Sequence, residues 1–420
     1  MLDIKFIREN PDIIKDAVRK KNIKFNVDEL LSYDAERLQL LSEVEDRRSR
    51  QNRMNNDIAA ATGQTRDEII DQMKILKEGL RKKEEELKVV ITKWQMLMVS
   101  VPNVPDISVP EGKTEDDNLE VKVVGEKTVF DFEPKSHVDL MNALSLADFE
   151  RGVKVAGFRG YFLKNEAVSL SFAIWQYATS EMIKNGFTPL LAPSLVSRAP
   201  FLGSGHLPQG EDDLYKTQDG DFLSGTAEVP VTAYFADEVL ELDALPIKFV
   251  AFSPCFRREA GSHGKDTKGL IRVHEFYKVE QVILAKADHA ESVRLHEEIT
   301  ANSENLLKNL KLPYRVVANC GGDLGLKHVK QYDIETWMPS ENKYRETHSS
   351  SYFHDFQTRR LNIRYKDSEG KLRFAYSLNN TALATPRILA AIIENYQQAD
   401  GSVVIPEVLR PFMGKEVIAR

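Results

Sequence analysis

The sequence predicts an α+β protein, in which a mainly antiparallel sheet flanked by helices follows a long antiparallel helical hairpin. Three observations predict it. Apolar residues over about 66–99 recur in alternating steps of four and three, the heptad repeat of a coiled coil. Three prolines then interrupt regular structure over residues 101–112. Beyond them, short aromatic and β-branched runs outnumber helical patterns and lack a regular strand–helix alternation.

The composition, 42% hydrophobic and 29% charged over 420 residues, is typical of soluble globular proteins. No run approaches the roughly 20 apolar residues of a membrane span, and the N-terminus has no hydrophobic signal region, so we expect a cytoplasmic protein without membrane association. Cys255 and Cys320 are too few for a disulfide framework or a cysteine-rich zinc site, and Cys255 is expected in the core.

The net charge of −7 conceals an uneven distribution. Residues 1–105 carry 20 Lys and Arg against 19 Asp and Glu, a net +1, whereas the other 315 residues carry 37 against 45, a net −8. The total charge therefore does not identify the partner, and local clusters must do so.

The first helix of the hairpin is predicted from residue 27 to about residue 61, and residues 62–65 should end it. A shorter segment precedes it, in which Asn10 before Pro11 marks a helix start, because proline is favoured at the first helical position. The long helix should bury one apolar stripe, which consists of Leu30, Leu31, Ala35, Leu38, Leu41 and Val44.

The second helix, over about 66–99, has the cleaner seam, on which only Lys83 is polar. At 1.5 Å per residue the hairpin would be roughly 50 Å long. On this pattern alone, a purely structural or dimerising hairpin is as good an interpretation as a binding arm. The seam consists of Ile69, Met73, Leu76, Leu80, Lys83, Leu87, Val90, Trp94 and Leu97.

Basic residues on the distal half of the hairpin favour a binding role. A thin apolar seam with a basic outer face suits an RNA backbone better than a packed core. The basic residues are Arg47, Arg48, Arg50, Arg53, Lys74, Lys77, Arg81 and Lys82.

We place the domain boundary in the proline-rich segment. Residues 1–105 are predicted to form an N-terminal domain with the arm at about 27–99, and residues 106–420 the body that contains the sheet. Within the body, helical patterns occur at 169–185, 287–307 and 388–396.

A charged hairpin is predicted at residues 254–280, between strands over 247–256 and 271–283. Arginines and carboxylates crowd its loop, and Phe276 lies among them. An edge hairpin with a solvated charged face is one interpretation. The aromatics favour another, a nucleotide site with stacking surfaces and anion grips. No G-x-x-x-x-G-K-[ST] loop or convincing G-x-G-x-x-G is present, so a nucleotide would be held differently.

Three other stretches carry polar groups of the same kind. Thr226 and Glu228 would share a face if their segment is extended, although an ordinary turn is an alternative. Glu346 precedes three serines, and such oxygens suit Mg²⁺. Arg387 lies near the start of a predicted helix, where a cation gains nothing from the helix dipole, so an anionic ligand or a surface salt bridge should pair with it.

The stretches at 186–196, 256–280 and 378–396 resemble the three motifs of class II aminoacyl-tRNA synthetases. Within that class the chain resembles the seryl-tRNA synthetase family from end to end. The matching stretches occur in family order and are MLDIKFIRENP, VPNVPDISVPEG, TAEVP, FRREAGSHGKDTKGLIRVHEF and IPEVLRPFMG.

This resemblance implies a serine–tRNA ligase with the class II catalytic fold. Such an enzyme activates L-serine with ATP to seryl-adenylate and transfers serine to the 3′ end of tRNA(Ser), and tRNA(Sec) would be a further substrate. It also implies Mg²⁺, no zinc, a homodimer assembled partly through the first motif, and an arm that grips the long variable arm of the tRNA.

The resemblance also assigns roles to residues. Arg257 would bridge the serine carboxylate and the α-phosphate, and Arg272 and Arg387 would contact the phosphates; these are the predicted catalytic residues. Glu259 would bond the adenine edge, and Phe276 would stack on the ring. The ATP site would further include Arg258, Val273, Glu346, Thr347, His348 and Ser349, with Glu346 and Ser349 holding the metal. The serine site would comprise Thr226, Ala227, Glu228, Arg257, Glu280, Asn379 and Thr381.

The chain departs from the family pattern at Asn380, Pro386 and His348, and at His263 and Lys265 in the hairpin loop. A sister class II enzyme for threonine or proline would share the fold but not the arm. A non-catalytic paralogue that binds RNA or protein through the arm is the other alternative, although such a protein would usually have lost one of the site arginines or acids.

Overall fold

The structure is a computed structural model that describes residues 1–262 and 264–420; the loop departure at His263 lies outside the described residues. The chain divides into two compact units. One comprises Leu2–Arg19 and Ile23–Pro102, and the other comprises Met1, Lys20–Asn22 and Asn103–Arg420.

Four helices form the N-terminal part of the chain. Pro11 begins the second of them, as predicted, and the side chain of Asn26 caps the third by accepting a hydrogen bond from the Glu29 amide. The fourth begins at Gly63 rather than near residue 66, so the break between the long helices is shorter than predicted. The helices are α1 (Ile4–Glu9), α2 (Pro11–Lys20), α3 (Val27–Ala60) and α4 (Gly63–Met98).

The predicted apolar seam is right for α4 and partly wrong for α3. All nine seam positions of α4 are buried or half-buried, whereas Ala35 and Leu38 of α3 are exposed. Asp34 is buried in their place, paired with Arg8 at 3.1 Å and with Arg37 at 2.8 Å. An apolar pattern could not reveal this position, because ion pairs allow a carboxylate to occupy it.

The body is built on one large sheet, as predicted. Among the described residues, eight strands form it in the order β1-β11-β12-β13-β16-β10-β9-β4, and every neighbouring pair is antiparallel except β4 and β9. The sheet strands are β1 (Leu119–Val124), β4 (Thr188–Leu191), β9 (Ile247–Phe256), β10 (Glu275–Ala285), β11 (Tyr314–Ala318), β12 (Lys330–Met338), β13 (Lys343–His354) and β16 (Tyr376–Thr385).

Short strands and helices complete the body. The short strands are β2 (Ala147–Asp148), β3 (Phe162–Leu163), β5 (Leu195–Val196), β6 (Tyr215–Lys216), β7 (Phe222–Leu223), β8 (Val239–Leu240), β14 (Arg364–Lys366), β15 (Leu372–Phe374), β17 (Val403–Val404) and β18 (Val417–Ile418). The helices are α5 (His137–Ala143), α6 (Phe149–Ala156), α7 (Glu166–Lys184), α8 (Arg198–Ser204), α9 (Glu228–Thr232), α10 (His289–Asn309), α11 (Phe356–Arg360), α12 (Arg387–Asn395) and α13 (Arg410–Met413).

The charged hairpin is confirmed, with one correction. Its first strand has the predicted bounds, but the second begins at Glu275 rather than at residue 271. Ile271 and Val273 are buried as strand residues would be. The backbone bonds to side chains instead of a partner strand, because Leu270 donates to His137 Nε2 and Ile271 accepts from Arg387 Nε.

The main core lies between the sheet and the helices α7, α10 and α12, which match the three predicted helical patterns within a few residues. Alternation along β10 directs Val279 and Ile283 into this core. Glu280 and Val282, which alternate with these residues along β10, therefore face the opposite side of the sheet. None of the helices in the described part of the chain is long and apolar enough to span a bilayer.

Candidate active site

The centre of the site is a row of alternate residues on β10, Phe276, Lys278 and Glu280. They stand opposite Cys255, Ser253 and Ala251 of β9. A cleft with about 570 Å³ of open space lies beside this row. Predicted site residues lining it are Arg257, Glu259, Arg272, Val273, Phe276, Glu346, Thr347, His348, Ser349, Thr381 and Arg387.

The three predicted catalytic arginines meet in this cleft. The Arg257 guanidinium lies 5.2 Å from the centre of the Phe276 ring, and Arg257 Nε donates to the Gly225 carbonyl at 3.4 Å. Arg387 donates from Nη1 to the carbonyl oxygen of Glu346 at 2.6 Å and lies 3.3 Å from its carboxylate. Arg387 thus has the anionic partner that its place at a helix start requires.

Arg272 and Glu259 are bonded to each other. Arg272 Nη1 lies 2.5 Å from Glu259 Oε2, and Arg272 Nε lies 3.4 Å from Asp266. Arg345 reaches the other oxygen of Asp266 at 2.9 Å. Asp266 therefore connects the hairpin loop to β13, and a nucleotide that uses both Glu259 and Arg272 must separate them.

A β-bulge brings Glu346 and Ser349 to the same side of the sheet. Residues three apart in a regular strand face opposite sides. Here Ile334 pairs with His348 and Glu335 with Glu346, so Thr347 is the extra residue. Thr347 and His348 are buried in the cleft wall, where the Thr347 hydroxyl lies 2.7 Å from that of Thr336.

The Glu346–Ser349 pair fits a magnesium ion that arrives with phosphates. Glu346 is 51% exposed, so its carboxylate is accessible. In the described residues, no group of three or more His, Cys, Asp and Glu side chains could hold a metal ion. Magnesium is usually bound by one or two carboxylates together with substrate phosphates, which requires no such group.

A buried polar cluster adjoins the cleft at Glu280, which is 2% exposed. The Thr381 hydroxyl donates to Glu280 Oε2 at 3.2 Å. Asn379 precedes Thr381 by two residues on the same strand and is also buried. A second bulge, in which Val279 pairs with Leu383 and Glu280 with Thr381, sets this alignment.

Glu228 differs from its predicted arrangement. The segment is not extended, because Glu228 begins α9. Its carboxylate accepts from Lys327 Nζ and, at 2.7 Å, from Gln357 Nε2, and His206 lies 3.7 Å away. Burial alone would raise the pKa of Glu228, but Lys327 holds that pKa lowered, to about 2. Glu228 is thus an ionised group within a buried network, apart from the residues lining the cleft.

Arg258 also departs from prediction. Its guanidinium donates to the carbonyl of Asp212 at 3.1 Å, and among the described residues it is not one that lines the cleft. Ala227 is fully buried at the start of α9 and does not line the cleft.

Sequence reasoning missed Lys278 and the network around Glu228. Lys278 Nζ donates to the Thr226 hydroxyl at 2.7 Å and lies 2.7 Å from Glu280 Oε2. Its position between Phe276 and Glu280 in the strand alternation was the available signal. Lys327, Gln357 and His206 are distant in sequence, and no local pattern identifies them.

Two departures from the family pattern have clear surroundings. Asn380 is buried and accepts from Gln281 at 2.6 Å and from Ser303 at 2.5 Å, while its amide donates to the Ser349 carbonyl at 3.2 Å. Asn380 therefore ties β16 to the strand that carries Ser349. Pro386 lines the cleft next to Arg387.

Most of the basic residues of the arm are paired with acids. Arg48 bonds Glu84 across the hairpin at 2.7 Å. Pairs within one helix hold Arg50, Lys74, Arg81 and Lys82. The arm is therefore less basic than its arginine cluster indicated, although such exposed pairs contribute little stability and exchange partners readily.

Comparison with known proteins shows which class of proteins has this architecture. The family described as "tRNA synthetase class II core domain (G, H, P, S and T)" matches residues 215–396, and "Seryl-tRNA synthetase N-terminal domain" matches residues 1–105. The fold and cleft are thus those of a class II aminoacyl-tRNA synthetase.

Full-length relatives narrow the class. A serine–tRNA ligase of Deinococcus radiodurans is 46% identical over 100% of this chain and 99% of its own length. That of Thermodesulfovibrio yellowstonii is 45% identical, with 100% of both chains covered. The crystal structure of the Pyrococcus horikoshii seryl-tRNA synthetase complexed with ATP matches with a TM-score of 0.93 at 40% identity, covering 100% of this chain and 99% of that one. The chain belongs to the seryl-tRNA synthetase family.

Proposed function

We propose that this enzyme is a serine–tRNA ligase that works in two steps, first forming seryl-adenylate and pyrophosphate from L-serine and ATP. The observation that carries the proposal is the convergence of Arg257, Arg272 and Arg387 on one cleft beside the hydrogen-bonded Glu280–Thr381 pair. Three guanidiniums suit a triphosphate, and a small pocket with a carboxylate and a hydroxyl suits a zwitterionic hydroxy amino acid.

In the first step the serine carboxylate attacks the α-phosphorus of ATP, and pyrophosphate leaves. Catalysis of this reaction consists mainly of positioning and of neutralising charge. Arg257 would hold the carboxylate and the α-phosphate together, since it lies beside Phe276, the proposed adenine platform. Glu259 would bond the adenine edge once Arg272 turns to the phosphates. Arg387 would cover the opposite ring face and reach the γ-phosphate.

Glu346 and Ser349 would hold Mg²⁺ with the phosphates. A bound magnesium ion would supply positive charge against the phosphate oxygens. The bulge at Thr347 supports this assignment, because it turns both side chains to the cleft.

Thr226, Glu280 and Thr381 would bind the ammonium and hydroxyl groups of serine, with Asn379 alongside. A pocket that hydrogen-bonds the hydroxyl disfavours alanine, because alanine would leave these polar groups unpaired. Glu228 would act through the buried network that supports this pocket.

In the second step a hydroxyl at the 3′ end of tRNA(Ser) attacks the seryl carbonyl, and AMP leaves. Residues 1–105, with the arm, would bind the tRNA, and residues 106–420 would carry out the chemistry. We include tRNA(Sec) as a further substrate where the host has one.

A homodimer is also proposed. Large apolar side chains are exposed in the first motif and on the helix before it, including Leu191 on β4 at 80% and Phe172 on α7 at 61%. A second copy of the chain would cover them. Sedimentation should show a dimer, and a monomer at micromolar concentration would contradict this part of the proposal.

The decisive experiment is ATP–pyrophosphate exchange with each of the twenty amino acids, followed by charging of purified tRNA(Ser) and tRNA(Sec). Exchange should depend on serine, and serine should be transferred to tRNA. Exchange with threonine or proline instead would assign a sister enzyme, and no exchange with any amino acid would assign a non-catalytic paralogue.

A further inference from the structure

Lys278 is a buried cation in the pocket proposed for serine. Its side chain comes from β10, between the cleft residue Phe276 and Glu280, and the residue is only 5% exposed. Its ammonium contacts Thr226 Oγ1 and Glu280 Oε2, each at 2.7 Å. These are two of the groups proposed to receive the substrate ammonium.

The surroundings of Glu280 contain a second carboxylate and several cations. Burial raises the pKa of Glu280 above its ordinary value, Lys278 opposes this by lowering the pKa, and nearby Glu228 raises it further. Lys327 is held by Glu228, and burial keeps His206 neutral by lowering its pKa to about 3. Arg257 and Cys255 complete the set of titratable and charged neighbours. Lys278 is therefore the cation that contacts Glu280 directly.

We propose that Lys278 is a positioning residue for the amino-acid substrate, which holds the Thr226 hydroxyl and an ionised Glu280 carboxylate in the arrangement that the substrate ammonium requires. This inference rests on the proposed function. The contacts from Lys278 and Thr381 both fall on Glu280 Oε2, so an incoming ammonium would approach through Oε1.

The geometry explains why a lysine suits this position. An isolated carboxylate in a buried pocket tends to become protonated, and a protonated Glu280 would bind an ammonium poorly. A neutral hydrogen-bond donor at residue 278 could orient Thr226 but would not keep Glu280 charged. Substitutions at residue 278 can therefore separate the orientation of Thr226 from the ionisation of Glu280.

The test compares Lys278→Gln and Lys278→Arg with the wild-type protein in serine-dependent ATP–pyrophosphate exchange. Lys278→Gln should raise the KM for serine about tenfold or more, the effect of losing one charge-assisted hydrogen bond, and leave the KM for ATP within about twofold. Its serine KM should increase as pH falls from about 8 to 6, because the uncompensated Glu280 takes up a proton. Lys278→Arg should restore most of the affinity and a flat pH profile.

Lys248→Gln is the matched control, since Lys248 is a partly buried lysine of the adjacent strand that pairs with Glu298 on α10. It should leave both KM values unchanged. Thermal melting verifies that each variant is folded. A folded Lys278→Gln with wild-type serine KM and pH profile would overturn the inference, as would equal losses in the KM for serine and ATP. If Lys278→Gln does not fold, a Lys278→Arg protein with a pH-dependent serine KM would overturn it. Absence of serine-dependent exchange in the wild-type protein would instead reject the proposed function itself.

Discussion

Arg257 is the residue on which the proposed chemistry depends most directly. Its guanidinium extends over Phe276 from the end of β9, and its planar fork can bond two oxygens on different groups at once. The neighbouring Arg258 has the same charge but turns to a backbone carbonyl outside the cleft. Adjacent arginines thus have different environments, which a sequence motif alone does not distinguish.

Arg257→Ala should lower the rate of adenylate formation about a thousandfold or more, because no guanidinium then holds the serine carboxylate and the α-phosphate together. Folding should be unaffected, since Arg257 is an exposed residue at the end of β9. ATP–pyrophosphate exchange measures the effect, with thermal melting as the check on folding. Arg258→Ala is the matched comparison and should lose far less activity. Near-normal exchange by Arg257→Ala would refute the assigned role.

The residues predicted from sequence and those that were missed differ in a physical way. Arg257, Arg272 and Phe276 lie in one contiguous charged and aromatic stretch, so their proximity follows from the strand pattern. Lys278 belongs to the same alternation and was recoverable. Lys327, which holds Glu228, lies 99 residues away, and only the folded chain brings the two together.

At the scale of elements, the periodicity of the sequence explains both what could be predicted and what could not. The heptads of α4 and the alternation in β9 leave regular signals, and both elements are found with nearly the predicted bounds. The bulge at Thr347 leaves none, because one added residue changes side-chain direction without changing composition. Asp34 is the opposite case. This charged residue interrupts the apolar pattern of α3, but it is buried nevertheless, because Arg37 pairs with it.

The arm should be separable from amino-acid activation. Deleting residues 37–88 and rejoining the ends should leave ATP–pyrophosphate exchange within about twofold, because every cleft residue lies beyond residue 256. tRNA charging should fall at least a hundredfold with loss of the phosphate contacts. Exchange and charging are measured on the same preparation.

A substitution variant controls for the deletion. Reversing Arg47, Arg53 and Lys77 to Glu keeps the apolar seam intact and should also weaken charging, more strongly at low salt. Undiminished charging by both variants at ordinary tRNA concentration would show that the arm is structural.

At the scale of the whole molecule, three substrates are assigned to two parts of the chain. The nucleotide and amino acid are proposed to bind on one face of the large sheet, and the tRNA is proposed to engage the long hairpin. This division explains why the total charge is uninformative, since each site carries its own local balance. A cytoplasmic location stays a prediction.

Buried histidines should make the fold sensitive to acid. His296 stacks on Tyr332 at 4.9 Å, and burial lowers the pKa of His296 from 6.5 to about 4. The unfolded chain takes up a proton below pH 6.5 that the folded chain takes up only near pH 4, so stability is lost as pH falls through this window. One such group contributes up to about 1.4 kcal/mol per pH unit, or about 3 kcal/mol in all.

His296→Gln should therefore reduce the slope of the free energy of unfolding against pH by the equivalent of about one proton. Denaturant unfolding between pH 4.5 and 7.5 measures this. Burial lowers the pKa of His328 and His354 as well, so the variant should keep a residual slope. Identical slopes in the variant and the wild type would contradict the assignment to His296.

The bond between Arg272 and Glu259 has a consequence for inhibitor chemistry. A plain nucleoside that competes for Glu259 would leave the Arg272 guanidinium with only its 3.4 Å contact to Asp266, whereas a molecule that bears a phosphate offers that guanidinium a new anionic partner. Compounds that mimic only the base should therefore be weak inhibitors of this enzyme. An added anionic group should increase their affinity by more than the contacts of that group alone would indicate.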